Sequence, residues 1–273
     1  MNYSLYAPPH HLKDLVKCFW TLETEPNELA PKEYFLMADA STELIFQFRG
    51  GVKKFASLKA YVRPQHTKNE KLALEDQLGL FGIRLFPHAL QHLAKIPSSE
   101  LVNSVVGFEA LFKQPGRDLS DQIIEANSVY DRLASAIAFL TRMDAEQNTN
   151  PFIQLVKQTL ANDGKIDLPQ LHRQANLSVK QFERRFTAIA GFTPKYYARV
   201  ARFQSTKRKY VSGNYKTLAE LAHACGYYDQ SHFIRDFKEF SGMQAHHYFN
   251  LLDKGDSEAR AIKELILAKD QAV

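Results

Sequence analysis

Two stretches of the chain repeat one another. "LSVKQFERRFTAIAGFTPKYY", residues 177–197, and "YYDQSHFIRDFKEFSGMQAHHY", residues 227–248, superpose at a spacing of 51 residues. That spacing carries Phe182 to Phe233, Arg184 to Arg235, Phe186 to Phe237, Gly191 to Gly242 and Tyr197 to Tyr248. It also carries Ser178 to Asp229, both good helix N-caps. Just upstream the spacing is 50, taking Leu168, Leu171, Ala175 and Asn176 to Leu218, Leu221, Cys225 and Gly226. The one-residue difference falls in a turn, where insertions are tolerated. Self-similarity of this kind means one supersecondary unit built twice. Each copy reads as a short helix, a tight turn near Asn176 or Gly226, and a second, capped helix, which is a helix-turn-helix. Ser178 and Gln181 make an S-x-x-Q capping box.

The link between the copies, "TPKYYARVARFQSTKRKYVSG", has a capping Thr193, Pro194 at the helix start and Gly213 to stop it. At roughly 1.5 Å per residue this helix spans about 28 Å. Successive major-groove faces on one side of a duplex lie about 34 Å apart. A rod of this length holds two reading helices near that spacing. Lys207, Arg208 and Lys209 complement the dipole at its C-terminal end and are secondary candidates for phosphate contact.

Phe182 and Phe186, like Phe233 and Phe237, sit four apart and face a small helical core, so Lys180, Gln181, Arg184 and Arg185 are left on the outer face. The net charge of +5 is concentrated here: residues 150–250 hold 15 lysines and arginines against 7 acidic residues, while the segments on either side are slightly acidic. Such asymmetry points to a polyanionic partner. Arginine is the side chain best suited to bidentate contact with guanine O6 and N7.

At these residues, above all "LAELAHACGYYDQSHFIRDFKEFSG" and the "GFTP" after the first reading helix, the block resembles the AraC/XylS family of bacterial transcription regulators. The resemblance implies two reading helices in successive major grooves of double-stranded DNA. It implies base contacts from Lys180 and Arg184 in the first copy, and from Gln230, Ser231 and Arg235 in the second. Gln181 and Arg185 flank these as contacts to bases or phosphates. The family commonly pairs this unit with a domain that senses a small molecule or forms a homodimer, and acts more often as an activator, through RNA polymerase. One departure is "MQAHHY" after Gly242, where the family usually starts its last helix on Thr-Pro. The parts "LVKCFWTLET", "TELIFQF" and "LGLFGIRLFP" are similar to an uncharacterised domain that often precedes such units, which implies no ligand.

The expected architecture is multi-domain. Residues 1–115 form an α+β regulatory domain, a curved sheet or small barrel with helices, read from short apolar runs split by Pro, Gly and charge. Residues 116–149 form a connecting helix and linker. Ile123, Ala126, Tyr130, Leu133, Ile137 and Leu140 follow a near-heptad step that suits packing on the domain or a dimer seam. Residues 150–250 form an all-α domain of two helix-turn-helix units joined by a long helix. Residues 251–273 read as an amphipathic helical tail.

Other chemistries find little support. The chain carries no GxSxG, GxxxxGK or GxGxxG, so no catalytic residue and no cofactor is expected. His88 and His92, four apart, lack the acidic residue of an HExxH pattern, so no metal is expected. Cys18 and Cys225 read as buried thiols of a cytoplasmic protein. No apolar run is long enough to span a membrane. The aromatic set Phe19, Trp20, Phe35, Phe46 and Phe48 reads chiefly as core, with a ligand cavity as the alternative. The rival function is a small-molecule sensor or enzyme whose basic block docks on a protein.

Overall fold

A computed structural model of the chain describes residues 2–25, 33–67, 69–144, 150–213 and 215–253. The tail helix expected beyond residue 253 lies outside the described residues, as does most of the linker.

The first part is an open antiparallel sheet. Its strands are β1 (Asn2–Tyr6), β2 (Val16–Glu23), β4 (Thr42–Arg49), β5 (Ala60–Arg63), β7 (Gly79–Leu85) and β8 (Val106–Gly107), in the order β1-β2-β7-β4-β5-β8. A second sheet pairs β3 (Glu33–Leu36) with β6 (Glu70–Ala73). Of the two forms expected, the sheet is open and no barrel closes among the described residues. The pleat sorts side chains by period two. Phe19, Leu44, Phe46, Phe81 and Ile83 face one core, while Cys18, Trp20, Ile45, Tyr61 and Leu80 face another, shared with Leu36 and Leu72 of the small sheet. Of the aromatic set, Phe19, Phe46 and Phe48 belong to the first core and Trp20 to the second, and the Phe35 side chain lies outside those described.

Three helices cover the first face: α1 (Pro87–Ala94), α2 (Phe108–Glu125) and α3 (Val129–Met143). The near-heptad run is thus two helices rather than one. The chain leaves the helical region at Ala126, and Ser128 caps α3 by accepting from Asp131 N. Arg132 closes the break, donating to Ile123 O and Ala126 O, with its guanidinium 3.8 Å from the Phe48 ring centre. Ile123 and Leu140 are buried in the sheet's own core, together with Phe112, Leu119 and Phe139. Burial pushes His88 down to about 4, so its neutral ring donates Nε2–H to Asp14 O at 2.8 Å. His92 bonds Asp144, and no cluster fit to hold a metal ion occurs among the described residues.

The second part is helical throughout: α4 (Phe152–Ala161), α5 (Leu168–Gln174), α6 (Val179–Ala190), α7 (Pro194–Ser212), α8 (Leu218–Ala224), α9 (Gln230–Ser241) and α10 (Ala245–Asp253). No helix among the described residues is long and apolar enough to cross a membrane. One core joins both copies, with Phe182, Phe186, Tyr197, Phe203, Phe233, Phe237 and Phe240 at its centre. "MQAHHY" enters α10 through Ser241, whose hydroxyl accepts from Met243 N.

The two parts are docked. Ala38 and Ala40 of the first belong to the core of the second. Ala38 N donates to Phe240 O at 3.0 Å, Gln204 donates to Ala38 O, and Asn69 donates to Glu239 O. Gly191, at the end of α6, lies against Gln65 and Val102. Lys157 of α4 pairs with Asp14.

Candidate nucleic-acid interface

The two copies are built alike, for the same local reasons. Each first helix is capped, α5 by Asp167 and α8 by Thr217. Each turn passes through a left-handed residue, Asn176 at φ 53° and Gly226 at φ 77°. Asparagine and glycine tolerate that region best, which explains this pair at the aligned position. Each second helix opens on a side-chain cap. Ser178 Oγ accepts from Gln181 N at 3.3 Å, and Asp229 Oδ1 accepts from His232 N at 2.7 Å. Each ends on a left-handed glycine, Gly191 at φ 79° and Gly242 at φ 76°.

Lys180, Gln181, Arg184 and Arg185 on α6, and Gln230, Ser231 and Arg235 on α9, are all exposed. Arg184 and Arg235 occupy the sixth position of their helices, and Lys180 and Ser231 the second. Gln181 differs from the rest. Its carboxamide oxygen accepts from Ser178 N and Oγ in the capping box, so this side chain is committed to the helix start. The other six make no hydrogen bond or ion pair among the described residues. Beside α9 lies an open concavity of about 580 Å3, lined by Ser231, Ile234, Arg235, Lys238, Glu239 and Gln244.

The α9 helix is fixed from behind. Arg199 of α7 donates to Asp236 and Glu239 of α9, each at 2.7 Å, and lies 5.0 Å from the Phe240 ring centre. Burial works against the Arg199 charge, but the two carboxylates outweigh it and hold the proton more tightly than usual. At the far end of α7, Arg208 and Lys209 ion-pair with Asp163 at 2.5 and 2.8 Å, and Lys207 is buried. These three therefore brace the fold rather than wait for phosphate. Sequence reasoning missed the Arg199 brace, because its partners lie on a helix 37 and 40 residues away and no spacing signals them.

The first domain holds a second candidate site. A cavity of about 50 Å3 lies between the sheets, lined by Tyr3, Trp20, Ile45, Tyr61, Leu72 and Leu80 among others. Glu43 at its wall is buried between Arg63 and Arg84 and paired with both. The indole N–H of Trp20 is buried there without a hydrogen-bond partner.

Comparison with known proteins gives two family matches. Residues 171–250 match a helix-turn-helix domain, and residues 4–107 match a domain of unknown function, DUF6597. No curated protein matches the chain. Among solved structures, ToxT from Vibrio cholerae in a 1.65 Å crystal form is 10% identical, over 85% of this chain and 98% of that one, with a TM-score of 0.45. ToxT with an unsaturated fatty acid bound is 7% identical, over 84% and 97%, with a TM-score of 0.41. At that level of overlap, the likeness carries no inference about ligands.

Proposed function

We propose that this chain, a DNA-binding transcription regulator whose helix-turn-helix unit is of the AraC/XylS type, reads two adjacent major grooves through α6 and α9. One observation supports the reading most: Arg184 and Arg235 stand exposed at the same place in two helices that each follow a left-handed turn, open on a side-chain cap and stop at a left-handed glycine. Lys180 and Arg184 read the first box, and Gln230, Ser231 and Arg235 the second. Arg185 supplies phosphate contact, and Gln181 holds the α6 start in shape. Lysine and arginine contacts to phosphate give affinity and a steep salt dependence, while base contacts give sequence discrimination.

The regulatory half of the proposal is a small-molecule effector in the first domain. It is favoured by the cavity between the sheets, walled by apolar rings and a buried ion-pair cluster. That space now holds little more than a few water-sized groups, so an effector enters by parting the two sheets. Activation through RNA polymerase is carried over from the family resemblance alone. For a homodimer, α3 offers the exposed Tyr130.

The test is selection from random duplexes with the full chain at physiological salt, followed by Arg184→Ala and Arg235→Ala. Two boxes about one helical turn apart are expected. Each substitution should relax one base position at a cost of about 1–3 kcal/mol. Equal weakening on all sequences would make those arginines phosphate contacts. Unchanged affinity would favour a basic block that docks on a protein.

A further inference from the structure

The described residues leave three large apolar side chains in water: Tyr130 at 75% exposure, Val179 at 53% and Tyr228 at 93%. Two of the three stand at the entry to a reading helix. Val179 is the first residue of α6, and Tyr228 directly precedes Asp229, the N-cap of α9. Each stands singly, beside the exposed side chains assigned above to the DNA boxes.

A packing role is already filled at both ends. An apolar residue before an N-cap ordinarily staples the entry by packing on the first turn. At α9 that contact is made by Tyr227, which is buried with its ring centre 5.4 Å from that of Phe233. Tyr228 is left outside. At α6 the capping box of Ser178 and Gln181 sets the start, and Phe182 and Phe186 make the core contacts. The 51-residue spacing makes Val179 the counterpart of Gln230, a residue of the second reading set.

We propose that Val179 and Tyr228 are apolar readers of the two DNA boxes, packing on the 5-methyl groups of thymines; this rests on the DNA-binding reading above. The thymine methyl is the one apolar group displayed on base edges in the major groove. Lys180, Arg184, Gln230 and Arg235 discriminate through hydrogen bonds and are poorly suited to sense it. Valine has no polar side-chain atom and so forms no hydrogen bond to phosphate. Each selected box then contains a thymine that the arginines alone would not specify.

The experiment replaces thymine by deoxyuridine, one position at a time, in duplexes selected by the full chain, with affinity read by fluorescence anisotropy. For wild type, one replacement in each box is expected to weaken binding about three- to fivefold, the worth of one buried methyl. Val179→Ala should bind the first box more weakly and no longer respond to uracil there. Tyr228→Ala should behave likewise at the second box, and Tyr228→Phe should keep the wild-type response, since the ring is the contact. Both positions are exposed, and circular dichroism confirms that the variants fold. Indifference of wild type to every replacement, or a full wild-type response in Val179→Ala and Tyr228→Ala, overturns the proposal. If Arg184→Ala and Arg235→Ala still relax the boxes in that case, the DNA-binding reading stands and only this one falls. Enrichment of no sequence overturns both.

Discussion

Trp20 shows what a single residue decides here. It faces Gly82 on the neighbouring strand, where a Cβ would come within 1.9 Å of the indole, so only glycine lets the ring lie across the sheet. Tyr3 stacks on its other side at 6.0 Å, and the buried indole N–H is left without a partner at the cavity wall. As the single tryptophan of the chain, Trp20 reports on that cavity alone. An effector entering between the sheets is therefore expected to change tryptophan emission in proportion to occupancy. A small molecule that alters DNA affinity while leaving the emission spectrum unmoved would place the effector site elsewhere. Period two alone parts Phe19 from Trp20 on one strand, but which residues each then meets follows from strand pairing, which the sequence does not carry.

The helices of the second domain were the most legible elements, because their signals are local. Ser178, Asp229, Thr193, Pro194, Gly191 and Gly242 act within one turn of themselves, and each does what its chemistry dictates. Ser178→Ala removes the acceptor for Gln181 N and undoes the capping box. It should cost about 1 kcal/mol by denaturant unfolding, with Ser178→Asp recovering most of it. An unchanged midpoint in Ser178→Ala would mean that tertiary packing alone holds the start of α6. The near-heptad over 123–140 shows the opposite limit. Its period records which side faces the core and says nothing of continuity, so a break at Ala126 closed by Arg132 left no trace in it. The short strands β1, β6 and β8 take their shape from pairing with neighbours rather than from their own pattern.

At the scale of the molecule, the first domain grips α6 and α9 by their C-terminal ends, at Gly191 for α6 and at Glu239 and Phe240 for α9. Lys180, Arg184 and Arg185 of α6, and Gln230, Ser231 and Arg235 of α9, stay exposed. Because Ala38 and Ala40 lie inside the second core, the two parts share buried surface. Full-length protein is therefore expected to lose near- and far-ultraviolet dichroism in one thermal transition. Gln204→Ala, which removes the bond to Ala38 O, should move that transition downward as a whole. Two separated transitions in wild type would show that the docking contributes little to stability.

The duplicated unit, its caps and turns, the length of the joining helix and the outward placement of Arg184 and Arg235 were all legible in one dimension. All of these follow from contacts within a few residues or from a spacing visible in one dimension. Tertiary contacts settled that Arg208 and Lys209 are bound to Asp163, that Glu43 is locked between two arginines, and that the first domain packs behind α6 and α9. Those outcomes depend on side chains far apart in the chain meeting in low-dielectric surroundings, where an ion pair or hydrogen bond is set by geometry rather than by residue type.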